Sequence, residues 1–394
     1  MRVANLVRSA LLVALPSFIG CADEPTAPTG MEPSSRATDA TVLMFRTISA
    51  GGFHSCGVTT DDRAYCWGYN QFGQLGDGTN VNRMVPTRVA GGLAFRQVSA
   101  GSHHTCGVTT GDRLYCWGYN LKGELGDGTT HRRKLPTLAA GGRRYRDVRS
   151  GWLFTCAVTT DDRPFCWGDN AFGQLGDGTR TQRLTPKRVA GGLLFRGVFP
   201  GTEYACGRTG GNRVYCWGRN EFGEVGDGTR ETRLAPVPVG GNIAFRQVSA
   251  GGTHTCGVDL ESRLYCWGSN QNGQQGDGTV ETHRSLPTQV PIGSIAGVAP
   301  GSEHTCAITT GRRVFCWGYN GLGAVGDGTT ITPRPSPVAL AGDLRISAMN
   351  AGYGHNCAVT PTGRGYCWGD GTLGQLGNNG VVGSAVPVRV AAAP

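Results

Sequence analysis

The sequence predicts an all-β fold, a seven-bladed β-propeller with four strands per blade and one disulfide-stapled hairpin in each repeat. Three observations carry that prediction. A Cys-Trp-Gly step recurs at Trp67, Trp117, Trp167, Trp217, Trp267, Trp317 and Trp368, spaced by 50 residues five times and then by 51. A fixed period of this length marks a repeat architecture. Each period holds four short strand-like segments separated by Gly, Asp and Asn clusters, as hairpin connections require. Two cysteines ten positions apart stand in every copy. Four strands per unit, seven times over, make a propeller. An open solenoid would need atypical capping units, and here the end units look like the middle ones. With 65 glycines in 394 residues, the composition suits short strands and tight turns rather than helices.

The first forty residues stand apart. Arg2 and Arg8 precede an apolar stretch from Ser9 to Gly20, the layout of a signal peptide and too short to span a bilayer. The run Phe18-Ile19-Gly20-Cys21 resembles a bacterial lipoprotein processing site, with Phe18 where leucine is usual. Cys21 is also the cysteine left over when seven pairs are taken from fifteen. Residues 1–20 therefore read as a signal peptide. Residues 21–40 read as a lipidated cysteine and a flexible, proline-rich tether with a reach of about 25 Å. Residues 41–394 are the propeller. Ordinary secretion is the alternative. The net charge of +9 falls to +7 once the leader is removed, mild for a domain of this size. No Lys/Arg run marks a nucleic-acid site, so no nucleic acid is expected.

Within the second unit the first strand is Phe95–Ala100, the second Thr105–Thr109 and the third Leu114–Trp117. The fourth follows a proline, as at Pro86–Val89. The phase of the ring is open, and Val386–Val390 is a candidate to complete the blade begun by Phe45–Ala50. Seven cysteine pairs flank the turns of the second-to-third-strand hairpins. They are Cys56 with Cys66, Cys106 with Cys116, Cys156 with Cys166, Cys206 with Cys216, Cys256 with Cys266, Cys306 with Cys316, and Cys357 with Cys367. The two members of each pair can face each other across the ladder. Each disulfide closes a short loop worth roughly 2.5–3 kcal/mol and fits an oxidising compartment. Zinc prefers closely spaced pairs, so no metal is expected.

Other repeated positions read as structural. The seven tryptophans are expected between blades. Asp77, Asp127, Asp177, Asp227, Asp277 and Asp327 sit in Asp-Gly turns without the ligand density of a calcium loop. His54, His104, His254, His304 and His355 share a position that also accepts Phe154 and Tyr204, which makes it a packing position. Arg63, Arg113, Arg163, Arg213, Arg263, Arg313 and Arg364 follow the hairpin turns as a structural or solubilising ring.

The motif His-Thr-Cys…Tyr-Cys-Trp-Gly-x-Asn-x-x-Gly-Gln-Leu-Gly, present as His104–Gly126 with Glu124 for the glutamine, resembles the regulator-of-chromosome-condensation repeat family. The resemblance covers residues 45 to about 390 and implies a seven-bladed propeller. It implies function weakly. The family's founding member is a nuclear exchange factor for a small GTPase and works through an inserted segment, whereas the spacing here varies by one residue. The cysteine pairs also depart from the cytosolic pattern. A secreted bacterial inhibitor of β-lactamases on the same propeller is the nearer analogue.

Loops after strands one and three should share one face, and these are the loops that vary between units. The expected binding face comprises Phe53, Tyr69, His103, Tyr119, Trp152, Leu153, Glu203, Arg219, Tyr319 and Tyr353, rich in the residue types that dominate interface hot spots. The expected function is an exported, membrane-tethered interaction scaffold in a bacterial cell envelope. The protein should be a monomer with an unidentified protein partner. Envelope glycan binding is the alternative, and exchange-factor-type regulation or an enzyme with a dispersed central site are weaker ones. An enzyme is not expected. His103, His131 and His283, the off-repeat histidines, lie in different units, and no nucleophile, phosphate-loop or His-Glu-x-x-His motif is present. No cofactor is called for.

Overall fold

The computed structural model describes residues 42–393, so the leader, Cys21 and the tether lie outside the described residues. Seven four-stranded antiparallel sheets are each built from four consecutive strands. In the first blade these are Phe45–Ala50, His54–Thr59, Ala64–Gly68 and Arg83–Arg88. The fourth strand starts three residues before its proline because Arg83 pairs with Gly68 across a bulge. Pro86 is tolerated because this strand has a free outer edge.

Val386–Val390 does not complete the first blade. The last sheet consists of Ala348–Ala351, His355–Val359, Gly365–Gly369 and Ser384–Arg389. No strand is borrowed across the seam. The ring closes instead by the contact that joins every other pair of blades. Each of the seven repeat tryptophans is fully buried, and its indole N–H donates to a carbonyl of the preceding blade, as from Trp117 to Gln74 at 2.9 Å. Across the closing seam Trp67 donates to Gln375 at 2.9 Å. The first and last units also share one core, with Phe45, Trp67, Leu376 and Val390 packed together.

A polar relay runs beside six of these seven tryptophans. The hydroxyl of Thr105 donates to the same Gln74 carbonyl and meets Nε2 of His54 at 2.7 Å. Equivalent links join His104 to Thr155, His254 to Thr305 and His355 to Ser55. At one seam both partners change together: Phe154 replaces the histidine and faces Ala205, which replaces the threonine, within one apolar cluster. A hydroxyl left against Phe154 would keep a carbonyl acceptor but lose the imidazole that faces it elsewhere.

All seven expected disulfides are present, each within the central hairpin of its own blade. Cys56 bonds Cys66, Cys106 bonds Cys116, Cys156 bonds Cys166 and Cys206 bonds Cys216. Cys256 bonds Cys266, Cys306 bonds Cys316 and Cys357 bonds Cys367. The Cα–Cα distances are 4.0–4.1 Å, because the two cysteines are directly opposed in the ladder, as Cys56 is to Cys66. The bridges are buried at the seams: Cys56 and Cys66 pack with Phe95 and Trp117 of the next blade. The Asp77 carboxylate is used by its own turn. It accepts from the Thr79 N–H and hydroxyl and from Arg83.

First strands line a central channel. At its upper mouth Gly51, Gly101, Gly151, Gly201, Gly251, Gly301 and Gly352 form a ring. A Cβ on Gly352 would stand 2.2 Å from the Gly51 carbonyl, and one on Gly51 would stand 2.4 Å from that of Gly101. Only glycine lets these backbones approach so closely.

Candidate interaction face

The loops after strands one and three are tied together in every blade. Tyr69 N–H donates to the Phe53 carbonyl at 3.0 Å, Tyr119 to His103 at 2.9 Å and Arg219 to Glu203 at 3.0 Å. The two variable loop sets therefore form one surface, the upper face.

On that face the ring geometry gathers side chains that are far apart in sequence. Phe53 lies 4.8 Å from His103, 6.0 Å from Tyr353 and 6.3 Å from Trp152, between ring centroids. Trp152 and Tyr353 approach to 5.6 Å across the channel mouth. Tyr69 and Tyr119 extend the group outward through Phe72, at 5.8 and 5.2 Å. These are ordinary separations for interacting aromatic pairs. The result is an aromatic crescent over the seventh, first, second and third blades. Six of the ten residues expected at the binding face belong to it: Phe53, Tyr69, His103, Tyr119, Trp152 and Tyr353.

The other four stand elsewhere on the face. Arg219 pairs with Glu203 at 2.8 Å and with Glu221, and its guanidinium lies over Phe172 and Phe222. Tyr319 lines a separate cavity of about 250 Å³ with Leu322 and Tyr353. Leu153 is half-buried, and its carbonyl accepts from Asp169 N–H. Two members of the crescent were not read from the sequence. Phe72 bridges Tyr69 and Tyr119, and the Arg132 guanidinium stacks 4.6 Å above Phe72 and 5.6 Å from Tyr119. The signal was the second variable position after each Trp-Gly-x-Asn, held by Phe72, Lys122, Phe172, Phe222, Asn272, Leu322 and Leu373.

The off-repeat histidines do not converge. His103 sits in the crescent with Nδ1 2.5 Å from the Ser102 hydroxyl, and burial lowers its imidazole to about 4. It is neutral at physiological pH and behaves as an aromatic surface. His283 accepts from the Asn270 N–H and packs edge-on against Phe222. His131 is exposed in the second blade. Among the described residues no group of three or more His, Cys, Asp or Glu is placed to hold a metal ion.

Beneath the face lie two buried acids, Glu124 and Glu224, where four other blades carry glutamine and one carries Ala324. Each accepts a backbone N–H through one oxygen, from Lys122 and Phe222 at 2.8 Å. The second oxygen of each has no partner. Burial pushes both carboxyls up to about 7.

Comparison with known proteins agrees with this architecture. A family model described as the RCC1-like domain matches residues 141–393. Two models of the regulator of chromosome condensation (RCC1) repeat match residues 61–108 and 112–158, and 45–74 and 95–124. Human WBSCR16 superposes with a TM-score of 0.76 at 20% identity, over 84% of this chain and 94% of that one. Prp20p of Saccharomyces cerevisiae, studied with its binding to Gsp1p and histones, gives 0.75 at 20% identity over 88% and 87%. The ectodomain of the Arabidopsis thaliana receptor kinase ACR4 gives 0.55 at 19% identity over 83% and 98%.

Proposed function

The chain belongs to the RCC1-like family of β-propellers, and from that premise we propose that it is an exported, membrane-tethered scaffold that binds a protein partner through its upper face. The fold is a general protein-binding scaffold. One observation carries the choice of face: the aromatic crescent is contiguous, spans four blades and is assembled from loop positions that the repeat leaves free to vary. Tyr, Trp and Arg are the side chains on which interface energy concentrates. Rings already packed against one another also lose little conformational freedom when a partner covers them. Export is supported by the leader-like first twenty residues and by seven disulfides, which persist in oxidising compartments. Tethering is supported by Cys21, the one cysteine outside the seven pairs.

The test is a capture experiment with the oxidised propeller beside a double variant carrying Trp152→Asp and Tyr119→Ala, both exposed to native envelope extract. A protein retained by the first and lost by the second supports the reading. Retention of polysaccharide by both places a glycan site on another surface and overturns the crescent assignment. The tether has its own test. The full chain should fractionate with membranes and be released by detergent, and Cys21→Ser should make it soluble without changing capture. Equal fractionation of the two overturns lipid anchoring.

A further inference from the structure

The face opposite the crescent has a different chemistry. It is made of the turns between strands two and three, the ends of strands four, and the connections into strands one. Together with the first strands that these connections feed, in the first unit they are residues 58–63 and 87–100. Taken over all units, with the entry segment 42–50, they carry 22 Lys and Arg against nine Asp and Glu. The rest of the described chain holds 12 basic and 15 acidic residues. The modest overall charge thus hides a polarised molecule.

The repeat arranges part of this charge as a ring. The seven turn arginines, one per blade, are all exposed. Arg63, Arg163 and Arg263 pair with acids of their own turns. At the other four turns the acid is absent, because Gly111, Gly211, Gly311 and Thr362 replace it. Arg113, Arg213, Arg313 and Arg364 make no ion pair among the described residues.

The chain also enters the propeller on this face. Met44 and Phe45 are held between two of the turns, with Thr60 N–H donating to the Met44 carbonyl and Phe45 N–H to Gly363. Val42 and Met44 are 54% and 38% exposed there. The segment that carries Cys21 joins the propeller at this point. A lipid on Cys21 would therefore pull the basic face, and not the crescent, toward the bilayer.

We propose that the lower face docks on an anionic phospholipid surface, holding the crescent outward. The choice of a membrane over another polyanion rests on the tethered reading above. The charge asymmetry does not. A ring of arginines around one rim suits a flat surface of phosphate groups, and attraction grows with each basic residue brought within a Debye length.

The test uses the propeller alone, residues 42–393, which closes its own ring and core, so that no lipid anchor contributes. Co-sedimentation is measured with vesicles of phosphatidylcholine and with vesicles containing about one-third phosphatidylglycerol. Binding is expected to the anionic vesicles only, in about 0.05 M salt, and to be lost at about 0.5 M. Replacing Arg113, Arg213, Arg313 and Arg364 by Gln should lower partitioning about tenfold or more, with Lys at the same sites restoring it. Trp152→Asp should bind vesicles like the parent. Equal binding to neutral vesicles, or full binding by the Gln variant with its melting temperature unchanged, overturns the proposal. So does tight binding of soluble dextran sulfate without vesicle binding. Failure of the Cys21→Ser fractionation test, with vesicle docking intact, would remove the anchor and leave the face.

Discussion

The seven seams between blades repeat nearly the same side chains, whereas the seven loop pairs of the upper face share a backbone hydrogen bond and few side chains. At the seams a tryptophan, a carbonyl and usually a hydroxyl and an imidazole recur in register. One seam changes both members, Phe154 with Ala205, and two change a single member and keep the hydrogen bond, Tyr204 with Thr255 and His304 with Asn356. On the upper face Gly52-Phe53, Ser102-His103, Trp152-Leu153 and Thr202-Glu203 occupy equivalent positions with no shared chemistry. A buried replacement must still satisfy the group it faces, as the Tyr204 hydroxyl does for Thr255. Exposed positions face no such partner, and there the symmetry breaks.

The largest contrast should come from two tryptophans. Trp217→Ala empties a fully buried site and should cost about 3–5 kcal/mol in urea unfolding. Trp152→Asp, on the half-buried crescent, should leave the unfolding midpoint nearly unchanged. It should instead weaken partner binding by about 2 kcal/mol or more.

Acidification should break the seams next. Burial, with neighbouring imidazoles adding to it at some sites, holds His104 and His254 near 3 and His304 and His355 near 4, with His54 also well below its ordinary value. The folded state keeps these rings neutral while the unfolded state protonates them near 6.5. Their stabilisation is complete above that pH and is lost as pH falls toward 4. Each ring contributes at most about 1.4 kcal/mol per pH unit. Glu124 and Glu224 act in the opposite sense, since a raised carboxyl favours the folded state at low pH and disfavours it above about 7. Five histidines outnumber two glutamates, so unfolding midpoints should fall between pH 6.5 and 4.

The smallest effect tests the boundary between the regions. Glu224→Gln introduces the residue of four other blades and keeps the acceptor for Phe222 N–H, as Gln74 does for Phe72. It should stabilise by about 1–3 kcal/mol at pH 8 and by nothing below pH 4.5. A gain that is equal at both values would mean that Glu224 is not titrating.

Much of the fold was legible because one period fixes blade number, strand order and disulfide pairing together. The pairing of Cys106 with Cys116 follows from their equal distance to one turn, and the same holds in every other blade. The faces were legible as well, since strand direction assigns the loops. The crescent was only half legible. Phe53 and Tyr353 are 300 positions apart in the sequence yet neighbours across the closing seam, and no local pattern reports that. Phe72 and Arg132 were missed because their contact crosses from one blade to the next. The candidate swap of the final strand failed for a related reason. Strand-type counts cannot distinguish a shared blade from two complete ones, and only the Ser384–Arg389 pairing with Gly365–Gly369 decides it.

The seam between first and last blades sets an order in time. Trp67 donates to a carbonyl 308 residues further along the chain, whereas each later seam joins neighbouring repeats. As the chain emerges from a ribosome, six seams can form as successive repeats arrive. The flank of the first blade must wait, with Phe45 and Trp67 uncovered, until Gln375 and Leu376 emerge. Contacts this distant in sequence are slow to find. The interval before closure is therefore when the chain is most open to proteolysis and aggregation, and when a chaperone that shields one apolar flank would serve it best.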